Sequence, residues 1–363
     1  MNKRTMAKFF CLLLALVLVA CGTGSGAGND VSGNNENEAN QDTKISVMLV
    51  DGAPLLSVAH MLSDDFPEAD GLDISFTLTN DVDAMVAALL NQEPDFAIVP
   101  VNVAAMMHTN GSGYRLAAVT TWGLMHIVSD RNVITLEDLI GETVVAFGRS
   151  GTPGITLRAV LTQNNIDFVE PIGMDFVPEP NKVNIIYLTA ASDVRDAIAT
   201  SMEIGGEPVS FGLLAEPAAT AVTGFANNMG RADIAPRINI QTEWARNNDG
   251  EIYPQAALVF HERLLADNVD RVNEFIALVE RSSVYANSNP EEAGDLAVSL
   301  GSIAIPGGVI VDNAYRAGRL PIAFTHAKDA RSAVNTFLQT IMEENANLIG
   351  GSMPEDSFFY VKE

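Results

Sequence analysis

The chain is poor in several things, and each shortage closes a door. Its two cysteines, Cys11 and Cys21, both fall in the first 21 residues. The remainder therefore has no disulfide and no thiolate metal site, and a body of this length needs neither. Basic residues are scarce, 21 Lys and Arg against 46 Asp and Glu, for a net charge of −25. Nucleic acid requires a basic surface and is excluded as a partner; a broad patch for anionic lipid is excluded in the same way. Any anionic ligand must be held by local donors against the overall field. Motifs of catalysis are also missing. No Gly-x-Ser-x-Gly elbow occurs. His261-Glu262 lacks a second histidine four residues after the first, so there is no zincin helix. The histidines at 60, 108, 126, 261 and 326 show no ligand spacing. The reading is a non-enzyme without a cofactor or resident metal.

What is present begins with a leader. Lys3, Arg4 and Lys8 precede an apolar run from Phe9 to Val19. The run is short for a bilayer-spanning helix and has the layout of a secretory signal over residues 1–20. It ends Leu18-Val19-Ala20-Cys21, which resembles the bacterial lipobox. That resemblance implies a diacylglycerol on Cys21 and a mature chain starting there, attached to the outside of the membrane by acyl chains. Residues 21–43 follow, rich in Gly, Asn, Ser and Glu, and read as a flexible tether.

Residues 44–363 alternate strand and helix patterns. Ile45–Val50, Leu72–Leu78, Asp95–Val99 and Tyr114–Thr121 read as strands. Leu55–Leu62, Asp81–Leu90 and the stretch from Val103 read as helices between them. The rhythm restarts with strands at Met125–Ser129, Thr143–Phe147, Ile185–Leu188 and Val209–Leu214, with helices at Pro153–Asn164 and Ala191–Ser201. Ala256–Phe260, a helix Val269–Asn287 and a helical C-terminal part follow. The alternation predicts two α/β lobes built on parallel sheets.

In such sheets ligands bind beyond the carboxyl ends of strands, which directs attention to three loops. Asp51-Gly52-Ala53-Pro54 is either a ligand-facing helix start or a plain turn. Asn102, after Asp95–Pro100, either caps the next helix or bonds a ligand. In Gly148-Arg149-Ser150-Gly151-Thr152-Pro153-Gly154, the glycines permit close approach, Thr152 fits a cap and Pro153 the first helical position. The result is a small nest of donors suited to a carboxylate, sulfonate or phosphate. Arg149 either adds charge or is simply solvated.

These strings, with Tyr114–Gly123 and Leu213-Leu214-Ala215-Glu216-Pro217, occur in an order and spacing that resembles the solute-binding proteins of nitrate/sulfonate/taurine ABC transporters. That group also includes binders of thiamine pyrimidine precursors. The resemblance covers about residues 44–345. It implies a two-lobed periplasmic-binding-protein-like fold of type II, whose chain crosses between lobes near Thr121-Trp122-Gly123 and again between Ile240 and Tyr253. Lobe one would be 44–122 plus 254–363, and lobe two 123–253. It implies ligand contacts at Gly52, Ala53, Asn102, Thr121, Trp122, Ser150, Gly151 and Thr152, with Glu216 facing the cleft. Trp122 either stacks on ligand or packs the hinge. The implied activity is capture of a small, anionic organic solute for the permease and ATPase subunits of an ABC importer. The alternatives are a pyrimidine or thiamine precursor, or a metal-dependent relative or enzyme on the same fold. The cleft loops are short of aromatic residues, which weighs against a flat ring.

Overall fold

A computed structural model describes residues 44–63, 66, 72–132, 135–231 and 233–362. The signal, Cys21 and tether lie outside the described residues. Residues 42–363 form a compact unit by themselves.

The chain opens with β1 (Ile45–Val50), α1 (Ala53–Leu56), β2 (Ile74–Thr79), α2 (Val82–Leu90), β3 (Phe96–Pro100), α3 (Val101–Thr109) and β4 (Tyr114–Trp122). It continues with β5 (Met125–Ser129), β6 (Thr143–Phe147), α4 (Thr152–Gln163), β7 (Phe168–Val169), β8 (Val183–Leu188) and α5 (Ala191–Thr200). Next come the small pair β9 (Glu203–Ile204) and β10 (Glu207–Pro208), then β11 (Phe211–Ala215), α6 (Ala218–Asn228), β12 (Ala235–Asn239) and α7 (Ile240–Asn247). The last part holds β13 (Pro254–His261), α8 (Arg263–Asp267), α9 (Val269–Ser288), α10 (Pro290–Ser299), α11 (Gly308–Arg316), β14 (Ile322–His326) and α12 (Ala327–Asn345).

Two six-stranded sheets result, ordered β14-β4-β13-β3-β1-β2 and β12-β5-β11-β6-β8-β7. They define lobes one and two. Both sheets are mixed rather than parallel. β13 runs against β3 and β4, and β14 against β4. In lobe two, β5 runs against β11 and β12. Alternation of strand and helix does not encode the direction of a strand that returns after a lobe crossing, and β5 and β13 are those strands.

Local chemistry accounts for the elements. In β1, Ile45, Val47 and Leu49 point inward with the two-residue period of a strand. Phe96 to Val99 of β3 are buried without alternation, as in a strand covered on both faces. Lobe two is covered likewise: Val145, Ile186 and Leu214 pack toward α5 and α6, while Val144, Ile185 and Leu213 join the larger core. Asp81 caps α2 by accepting from the amides of Asp83 and Ala84, both at 3.0 Å. The helix expected over Leu55–Leu62 is α-helical only to Leu56. The Ser57 hydroxyl donates to the Pro54 carbonyl at 2.7 Å and the backbone continues as turns.

The lobes are joined twice. Gly123-Leu124 links β4 to β5, and α7 with the segment to Tyr253 links β12 to β13. The two connections are bonded to each other. The Gly123 amide donates to the Tyr253 carbonyl at 2.9 Å, and the Met125 amide to the Tyr253 hydroxyl at 3.4 Å. Trp244, Tyr253 and Phe337 of α12 pack ring to ring with centroids 5.6 to 5.8 Å apart, pinning the second connection to α12.

Candidate functional site

β1, β3 and β4 run in one direction, and register aligns their ends. Leu49 pairs with Ile98; Pro100 and Thr121 both pair with Ala256. The loops after Val50, Pro100 and Trp122 therefore leave one edge of sheet one. In sheet two, β6 and β11 are parallel, and Ala215 pairs with Met125. The loops after Phe147 and Ala215 thus leave the edge where β5 begins. Only Gly123 and Leu124 separate Trp122 from Met125, so these two edges meet at the hinge. The topology puts the sequence-predicted residues on two strand-end edges that join at this hinge.

Their individual settings differ. Gly52 has φ of 113°, a conformation natural to glycine. Its amide turns to Asp51 Oδ1 at 2.7 Å rather than outward. Asp51 also accepts from Ser302 Oγ and from the amides of Ile303 and Ala304, and so fastens the 302–304 segment over β1. Ala53 is buried at the start of α1, which spans only four residues. Asn102 is the second residue of α3 and Pro100 holds the cap position, so Asn102 is no cap. Its Nδ2 donates to the Leu348 carbonyl at 3.4 Å, and its Oδ1 is buried without a partner. Thr121 is fully buried and its Oγ1 is also unpartnered. Trp122 packs into the hinge, donating from Nε1 to the Ala323 carbonyl at 3.0 Å and from its amide to the Pro321 carbonyl at 3.1 Å.

The Gly148–Gly154 loop is tight. Gly148 has φ of 63°, and its carbonyl accepts from the amides of Gly151 and Gly154. A Cβ on Gly154 would fall 2.8 Å from Arg149 Cα and from the carbonyl oxygens of Gly148 and Arg149. Gly151 holds the cap position of α4, one residue before the expected Thr152; Thr152 and Pro153 are the first two helical residues. Ser150 is exposed. Thr152 is buried and its hydroxyl has no partner. The Arg149 guanidinium is paired with Glu170.

Glu216 is shut from solvent. Its Oε1 accepts from Arg319 Nε at 2.6 Å and from Thr220 Oγ1 at 3.0 Å, and its Oε2 from the Thr220 amide at 2.9 Å. Neighbouring His126 is held below its ordinary pKa by burial, against the pull of Glu216. Its Nδ1 lies 3.2 Å from the Leu124 carbonyl, which can only accept, so Nδ1 carries the proton and Nε2 is left as an acceptor. Among the described residues no cluster of His, Cys, Asp and Glu suits a metal ion.

Several elements that start or end at the junction carry unpaired polar atoms, as do Asp130 Oδ1 and His261 Nε2 away from it. Asn102 Oδ1, Thr121 Oγ1, Thr152 Oγ1, His126 Nε2, Gln241 Nε2 and Gln255 Oε1 are all out of contact with solvent and without a hydrogen-bond partner. Such atoms are rare in folded proteins and call for an explanation. His126, Gln241, Gln255 and Arg319 were not predicted from the sequence. Reading them there required knowing that β5 and β13 start at the same edges where β4 and β11 end. A cavity of about 300 Å³ lies among Asn273, Ile276, Glu280, His326, Lys328 and Tyr360, and none of these junction residues line it.

No family model and no curated relative matches the chain. Solved structures do. An ABC transporter protein from Parabacteroides distasonis superposes with a TM-score of 0.68 at 21% identity, over 88% of this chain and 100% of that one. The periplasmic aliphatic sulphonate binding protein SsuA from Escherichia coli gives 0.61 at 14%, over 88% and 94%. A Candida albicans protein described as having the generic periplasmic binding protein fold gives 0.55 at 13%, over 87% and 92%. With the two sheets and the paired crossings, these likenesses establish the architecture: a two-lobed α/β periplasmic-binding-protein-like fold of type II, joined by a two-segment hinge.

Proposed function

We propose that the chain is an extracytoplasmic receptor that holds a small, anionic organic solute between its lobes and delivers it to the permease and ATPase subunits of an ABC importer. The observation that carries this reading is the set of buried, unpartnered polar atoms where the strand ends of two sheets meet at a hinge. A solute seated there would supply the missing partners. The start of α4 beneath Ser150, Gly151 and Thr152 favours negative charge. Asn102 and Thr121 would contact the solute from lobe one. Gly52, Trp122 and Glu216 would shape the cleft through the bonds described above, and Ala53 through its burial at the start of α1. A second reading, a pyrimidine or thiamine precursor, is favoured by the acceptors His126 Nε2, Asn102 Oδ1 and Gln255 Oε1. A simple oxyanion offers them no donor.

Cys21 is proposed to carry the lipid that keeps the receptor at the membrane, a state that intact-mass measurement of the native protein reads directly. The binding reading is tested by thermal unfolding against sulfonates, carboxylates, inorganic oxyanions and pyrimidines. A true ligand at a hundred times its dissociation constant adds about 2.7 kcal/mol. A shift from one class names the chemistry. No shift from any class, and no compound carried through purification, would count against the receptor.

A further inference from the structure

Arg158 lies in the second turn of α4 and is 7% exposed. Its Nε donates to Glu344 Oε1 at 2.7 Å, and Nη2 reaches the same oxygen. Nη1 donates to the Arg149 carbonyl at 3.0 Å, to the Tyr187 hydroxyl at 2.7 Å and to Glu170 Oε1 at 3.2 Å. Arg149, Glu170 and Tyr187 belong to lobe two, and Arg149 is part of the Gly148–Gly154 loop. Glu344 belongs to the last turn of α12, in lobe one. One guanidinium therefore bonds both the candidate ligand loop and the opposite lobe.

Its position relative to the hinge gives this bond leverage. α12 meets the second hinge segment at Phe337, and Glu344 is seven residues further on, roughly 10 Å along the helix axis. A second inter-lobe ion pair among the described residues, Glu216–Arg319, sits against the hinge itself. The Glu216 amide donates to the Leu124 carbonyl at 3.0 Å, and Pro321, two residues after Arg319, accepts from the Trp122 amide. A pair set off from a hinge is opened more by lobe rotation than one packed against it.

We propose that Arg158 is a positioning residue, a clasp that couples the order of the Gly148–Gly154 loop to closure of the lobes through Glu344. The inference depends on the two-lobed fold and not on the identity or existence of a transported solute, so it stands or falls separately from the receptor reading. Losing Glu344 leaves Arg158 paired with Glu170, so its charge is not stranded when the clasp opens. The absence of cysteine after residue 21 makes the test direct. Residues 42–363 carrying Asp83→Cys on lobe one and Glu207→Cys on lobe two are spin-labelled, and the inter-lobe distance is measured without added ligand. Glu344→Ala is expected to shift the distribution to longer distances and to speed amide exchange at Gly148–Thr152 several-fold. Arg158→Lys, which keeps the charge and loses the planar fork, is expected to fall between. Glu344→Gln, which keeps an acceptor oxygen, should partly restore both readouts, and it carries the test if the alanine variant does not fold. Unchanged distances, or unchanged loop exchange, in a folded Glu344 variant overturn the coupling. A lowered melting temperature with both readouts unchanged reduces the pair to a structural contact.

Discussion

Glu216, just after β11, and Arg319, between α11 and β14, meet at 2.6 Å, with the carboxylate fully shut from solvent and also holding the amide and hydroxyl of Thr220. Removing one partner of such a pair strands the other. Arg319→Ala should therefore destabilise the protein by about 3 kcal/mol, read from urea unfolding. Changing both residues, Glu216→Gln with Arg319→Met, should cost less than the single change. Equal or greater loss in the double variant would mean the two residues do not act as a pair.

His126 gives the junction a pH dependence of known sign. Its folded-state pKa lies below the ordinary 6.5, because burial outweighs the attraction of Glu216, while Arg319 adds to the depression. The unfolded chain thus binds the extra proton first as pH falls. The stability contributed by neutral His126 is complete above pH 6.5 and is lost as pH falls through the lower folded value. His126→Asn keeps a donor for the Leu124 carbonyl and removes the titration. Its stability should fall less steeply below pH 6.5 than that of the parent. His261 is shifted in the same direction by burial and Arg263 and is present in both proteins, so the difference isolates His126.

The elements legible in the sequence were those whose signal is local. α9 is Val269–Ser288 where periodicity predicts Val269–Asn287, and β6 coincides with its apolar run. The Gly148–Gly154 loop announced itself because Gly, Thr and Pro punctuate a strand-to-helix turn in a fixed order. The cap lies one residue earlier, at Gly151, whose backbone is extended, and Thr152 opens the helix. What was not legible was non-local. Strand β14 is only five residues long and pairs with β4 through residues about 200 positions away, Ile322 with Thr121 among them. Arg319 and Arg158 look like ordinary surface cations in sequence, and only folding brings Glu216 and Glu344 to them.

Gly123 is the tightest point of the hinge. A Cβ there would lie 2.0 Å from Gln241 Oε1 and 2.4 Å from Tyr253 Cζ. Tyr253 is held by Trp244 and Phe337 and cannot yield freely. Gly123→Ala should cost about 1–3 kcal/mol or more through overpacking, measured by thermal unfolding. Gly224, beside which a Cβ meets nothing within 4 Å, is the control in lobe two, and Gly224→Ala should be neutral or slightly stabilising.

Thr152 separates stability from binding. Its hydroxyl is buried and unpartnered, so it contributes a desolvation cost and no bond. Thr152→Val replaces that hydroxyl by a methyl group of similar shape. The unliganded protein should then be as stable as the parent or more so. The same change should weaken a ligand that bonds the hydroxyl by roughly 1–3 kcal/mol, read by calorimetry with the compound identified in the thermal screen. Ser150→Ala, at an exposed position, should leave stability unchanged and cost less affinity. A Thr152→Val variant that lost stability without losing affinity would mean that the hydroxyl serves the fold and not the solute. The donor nest at the start of α4 would then have to act through its backbone amides alone.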